Sequence, residues 1–76
     1  SQYTMINLDT LNAMNENTII VVGKVLGSGS IDRKIHVSAL GFSQQALEKL
    51  KKANCDVSII KNHLEKIKSL EGIKII

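Results

Sequence analysis

Proline and tryptophan are absent from this 76-residue chain, and its aromatics are only Tyr3 and Phe42. The core therefore has to be built from Ile, Val, Leu and Ala. One cysteine, Cys55, cannot form an internal disulfide and is too few for a cysteine-based zinc or redox motif. It reads as a small buried hydrophobe in a reducing compartment. No apolar run approaches the roughly 18 residues of a membrane span, and the N-terminus lacks the basic-then-apolar pattern of a signal segment. The expected location is the cytoplasm. The two histidines, His36 and His63, lie on different expected elements without a ligand partner at helical spacing, so both read as surface or half-buried polar residues. No carboxylate pair is spaced for acid/base work. The sequence thus predicts no catalytic residues, no metal, no cofactor and no small-molecule substrate.

The apolar fraction, 43%, is ample for one folded unit spanning residues 1–76. Such a small domain buries only about 60% of its unfolded surface. Charge is uneven. Residues 1–22 contain Asp9 and Glu16 but no Lys or Arg, whereas residues 23–76 contain all ten Lys and Arg against five acids. The positive field belongs to the last two-thirds of the chain and favours an anionic partner.

Residues 3–7 suit a short strand, and Asn7 suits the N-cap of a helix over Leu8–Met14 with Asp9 in its first turn. Thr18–Leu26 opens with five β-branched residues in a row, the pattern of a strand covered on both faces. Gly23 interrupts it, as at a bulge or a close backbone approach. Ile31–Leu40 reads as a second strand, with Ile35, Val37 and Ala39 on one face and Lys34, His36, Ser38 and Leu40 on the other. Ser43 caps a helix running to about Ala53 whose apolar stripe is Ala46, Leu47, Leu50 and Ala53. Asn54 suits the left-handed position that ends it. Val57–Ile60 is a short strand, Asn62 and Glu65 resemble a capping box for a helix to about Leu70, and Ile73–Ile76 is a final strand. The fold class is α/β: one small domain of irregular β-β-α units with short strands and two to three helices.

The segment Gly23-Lys24-Val25-Leu26-Gly27-Ser28-Gly29 has neither Walker nor dinucleotide-loop spacing. Two readings stand side by side. One is a β-hairpin with a glycine turn. The other is a hairpin whose bare backbone admits a phosphate chain, with Lys24, Arg33 and Lys34 at its base.

The run Asn17–Ser43 resembles the signature of the ribosomal protein family eighteen-e of archaea and eukaryotes. The matching features are the β-branched strand, Gly23-Lys24-Val25-Leu26-Gly27, the glycine turn, the basic pair Arg33-Lys34, Val37-Ser38-Ala39 and Phe42-Ser43 opening a helix. Ala46, Leu50, Lys52 and Ala53 stand where the family's helix carries its pattern, and Ile6-Asn7-Leu8 and Leu11-Asn12 resemble its entry segment. The bacterial family fifteen shares the domain but carries an insertion before the Gly-Lys-Val-Leu strand that this chain lacks. Val22 stands where the family usually has Pro, and Asn54-Cys55 where it usually has Gly-Gly. The family's long basic N-terminal extension is not in this sequence, so the chain is expected to be a domain fragment or a reduced version.

The resemblance implies a non-enzymatic, structural constituent of the large ribosomal subunit in the cytoplasm. It would bind ribosomal RNA by backbone and shape and lie among neighbouring ribosomal proteins, with no membrane role. Lys24, Ser28, Arg33 and Lys34 are its expected RNA-binding residues. Lys49, Lys51 and Lys52 form a second patch on the helix that also reads as a solvated face. Two aromatics make base stacking an unimportant contribution. An Arg33–phosphate contact would make Arg33→Ala lower the salt slope of binding by about one charge. Two rivals remain from the residues alone. One is a small basic protein-interaction module using the strand edge at 72–76. The other is a nucleotide-binding or enzymatic domain built on the glycine loop.

Overall fold

The computed structural model describes residues 3–60 and 72–76. Five strands form one sheet: β1 (Thr4–Asn7), β2 (Thr18–Leu26), β3 (His36–Phe42), β4 (Asp56–Ile59) and β5 (Ile73–Ile75). Helices α1 (Leu8–Asn12) and α2 (Gln44–Lys52) complete the described elements. The expected helix over 62–70, with its capping box and His63, lies outside the described residues. The α/β class, the short strands and the two helices are as the sequence implied.

All four strand pairings among the described residues are parallel, in the order β1-β2-β3-β4 with β5 also on β2. Strand β2 is long enough to serve two neighbours along one edge. Its first part, Thr18–Ile20, pairs with β5, and its last part, Gly23–Leu26, pairs with β1. Its other edge pairs with β3. The edge of β5 facing β2 is thus already in use, including Val22 N–H to the Ile76 carbonyl at 2.6 Å.

Parallel pairing overturns the hairpin expected around the glycines. A hairpin reverses direction, but here Thr18 lies beside His36 and Val25 beside Phe42. The chain must therefore return the length of β2 before β3 starts. Residues 27–35 make that return. Nine residues at about 3.3 Å each span about 30 Å when extended, just enough to run back along β2. Hence the second strand starts at His36 rather than at Ile31.

Elsewhere the local chemistry accounts for the elements. The Asn7 side chain accepts from Thr10 N–H at 3.2 Å, and the Ser43 hydroxyl accepts from Ala46 N–H at 3.1 Å, each satisfying one orphan donor of its helix. Asn54 takes φ +60° just after α2. Helix α1 stops at Asn12, two residues before the expected Met14.

One apolar cluster fills the face of the sheet beneath the helices. Ile6, Ile19, Val21, Val25, Ile35, Val37 and Ala39 come from the sheet side, Leu8 and Leu11 from α1, and Ala46 and Leu50 from α2. The expected stripe on α2 is half right: Ala46 and Leu50 are buried, whereas Leu47 is exposed. Cys55 is half-buried and gives its S–H to the Arg33 carbonyl at 3.4 Å. Ile20 is buried on the opposite face, but cover there has gone by Lys24. Gly23 answers to both readings offered for it. The β2–β3 register shifts between Val21 and Lys24, and a Cβ at Gly23 would collide with the Thr4 backbone.

Candidate nucleic-acid interface

The return segment 27–35 lies extended between α1 and α2, and alternate residues serve alternate sides. Toward α1, the Ser28 carbonyl accepts from Leu8 N–H at 3.0 Å, Ser30 N–H donates to Asp9 Oδ1 at 3.0 Å, and Asp32 N–H donates to Asn12 Oδ1 at 3.0 Å. Toward α2, Lys49 Nζ donates to the carbonyls of Gly27 at 2.8 Å and Gly29 at 2.7 Å. A segment without regular structure thus has its backbone groups satisfied from both flanks.

This packing explains the glycines. A Cβ at Gly27 would come within 2.6 Å of Gln45 Cβ and 2.7 Å of Ala46 N, so only glycine lets the start of α2 approach. Gly29 has φ +83°, and a Cβ there would overlap the Asp9 carboxylate. The Asp9 carboxylate also occupies the Ser30 amide that a phosphate would otherwise use. The loop is therefore shaped by its own helices and carries its own anion.

The basic residues expected at the interface divide into two groups. Arg33 donates from Nη1 to Asn17 Oδ1 at 3.1 Å and from Nη2 to the carbonyls of Glu16 at 2.7 Å and Leu11 at 3.3 Å. Its Nε is buried without a partner. The guanidinium holds the end of α1 and the following turn against the return segment. Its expected place at the base of a phosphate-binding hairpin is corrected accordingly. Lys49 is tied to the glycine carbonyls in the same way. By contrast, Lys24, Lys34, Lys51 and Lys52 are exposed, as is Ser28 between the two glycines. Lys52 borders an open groove whose opposite wall is Gly29–Asp32. Lys24 stands apart, on the sheet face away from the helices, beside Met5 on β1 and Gly41 on β3.

His36 is exposed and pairs through Nδ1 with Asp56 Oδ2 at 3.2 Å. Beside it on the same two strands, the Ser38 and Ser58 hydroxyls share a hydrogen bond of 2.6 Å. These are cross-strand polar pairs on the wet face, worth little individually. Among the described residues no group of three His, Cys, Asp or Glu is arranged to hold a metal. No described helix is long and apolar enough to cross a membrane.

Residues 2–58 match the family model that groups the ribosomal proteins 50S-L15 and 50S-L18e with their 60S counterpart. The chain belongs to this ribosomal protein family. It is 37% identical over 76 residues to the large ribosomal subunit protein eL18 of Methanoregula boonei, covering 97% of this chain and 63% of that protein. The eL18 of Methanothermobacter thermautotrophicus is 36% identical over 73 residues, covering 93% and 60%. That of Sulfurisphaera tokodaii is 33% identical over 76 residues, covering 97% and 64%. The chain therefore spans less than two-thirds of the length of these archaeal relatives. The resemblance to eighteen-e is borne out.

Two features of this family member escape sequence reasoning. Asp9 suits a helix first turn, and no local signal marks it as the anion inside the glycine loop. Tyr3 and Met5 suit a strand, yet their side chains stay open to solvent, 66% and 67% exposed, in the hollow that Lys24 also lines.

Proposed function

We propose that this chain is a structural component of the large ribosomal subunit that packs on folded ribosomal RNA through backbone and shape contacts. Membership of a ribosomal protein family, matched over residues 2–58, is the observation that carries this reading. The exposed cations Lys24, Lys34, Lys51 and Lys52, with the Ser28 hydroxyl, are the groups that meet phosphate. Arg33 and Lys49 contribute by holding the return segment and α2 in place. Neighbouring ribosomal proteins are the further partners, and the ribosome is the location.

Phosphate contacts release counterions, so affinity falls with salt by about 0.9 per neutralised phosphate on a log–log scale for a duplex. An A-form helix shows its backbone and 2′-hydroxyls on a wide, shallow groove, and recognition there is by shape. The test is binding of the chain to fragments of large-subunit ribosomal RNA across a salt series. Preference for one folded fragment, with a steep fall in affinity as salt rises, is expected. Absence of binding at low salt, from a chain shown to be folded by circular dichroism, would refute the RNA contact.

A further inference from the structure

The sheet face away from α1 and α2 contains a shallow hollow of about 330 Å³. Tyr3, Met5 and Leu40 form its apolar walls, and Gly23, Lys24 and Gly41 lie across its base. We infer that this hollow receives one unpaired nucleotide of the bound RNA, its base against Tyr3 and Met5 and its phosphate at Lys24. The inference rests on the ribosomal reading above and adds to it a defined subsite.

Three observations favour a nucleotide. First, Tyr3 and Met5 leave two large apolar side chains in water at one place. The other aromatic, Phe42, packs against the core. Second, Lys24 lies between Met5 and Gly41 in the strand register, in the middle of the patch rather than on its rim. An apolar protein surface covering the hollow would strip water from that ammonium without neutralising it, which is costly. A nucleotide brings a flat apolar face and a phosphate together. Third, a Cβ at Gly41 would touch nothing nearer than Lys24 Cγ at 4.0 Å, so the base of the hollow is low and open at that point. Splayed bases of folded RNA are commonly held by stacking on aromatic side chains, and Tyr3 carries the one exposed phenyl ring among the described residues.

Tyr3 is the single tyrosine and there is no tryptophan, so intrinsic fluorescence reports on this hollow alone. The experiment is titration of the 76-residue chain with fragments of large-subunit ribosomal RNA, following both fluorescence and affinity. Quenching of Tyr3 on binding is expected. Tyr3→Ala should weaken binding about tenfold without changing the salt slope, and Tyr3→Phe should restore it. Lys24→Ala should lower the salt slope by about one charge. RNA binding with unquenched Tyr3 and an unaffected Tyr3→Ala variant would overturn the inference and leave the ribosomal reading standing. A folded chain that binds no RNA would overturn both. Concentration-dependent dimerisation abolished by Tyr3→Ala, with RNA affinity unaltered, would overturn it too and assign the hollow to a second copy of the chain.

Discussion

The return segment between α1 and α2 and the outer side of α2 put the same kind of charge to opposite uses. Around the return segment, Arg33 and Lys49 are tied by five hydrogen bonds to the protein itself, four of them to main-chain carbonyls. On the outer side of α2, Lys51 and Lys52 face water. An irregular segment offers carbonyls that no helix or sheet ladder satisfies, and a cation with several donors can collect more than one of them. A helix satisfies its own backbone, so its outward cations stay available. Positive charge in this domain therefore acts as internal mortar where the backbone is irregular and as a free field where it is regular.

Breaking the inner set should cost most. Arg33→Ala leaves the Leu11 and Glu16 carbonyls without their donor and is expected to lower unfolding free energy by about 3 kcal/mol, read as a shift of the urea midpoint. Its RNA salt slope, measured on the folded protein, should not change. A stable Arg33→Ala variant with a slope lower by one charge would erase the distinction drawn between the two regions.

Gly29→Ala comes next. It forces a side chain into positive φ against the Asp9 carboxylate, at about 2 kcal/mol, and thermal unfolding measures it. Lys49→Met keeps the aliphatic stem but removes both bonds to the glycine carbonyls. A loss of about 1 kcal/mol is expected, and equal stability with the parent would show that water replaces the ammonium freely. The smallest stability effects belong to Lys51→Ala and Lys52→Ala, each within about 0.5 kcal/mol. In these two variants the change should appear in RNA binding instead, as a salt slope reduced by about 0.9 for each phosphate no longer neutralised.

Local signals made much of the fold legible. The Asn7 and Ser43 caps, the left-handed Asn54, and the alternation of Ile35, Val37 and Ala39 depend on residues within one turn or one pleat of each other. Strand direction does not. Glycines between two β-branched runs suit a tight reversal as well as they suit a close crossing under two helices, and nothing local separates those cases. The candidate site was legible only as a set of basic residues. Arg33 and Lys34 are adjacent in sequence, yet one turns inward to α1 while the other is exposed, because successive side chains of an extended segment point to opposite sides.

By itself the sequence determined the α/β class, the helix caps, the all-aliphatic core, and the bias of positive charge toward residues 23–76. It also carried the family, because the order of glycines, basic pair and capped helix is a linear pattern. Tertiary structure alone decided that the sheet is parallel, that the glycines make room for α1 and α2, and which cations remain free. The reason is physical. Caps and alternation are satisfied by neighbours along the chain, whereas a carbonyl beside a return segment takes its donor from whatever packing brings near, here Arg33 across 22 positions to Leu11 and Lys49 across 22 positions to Gly27.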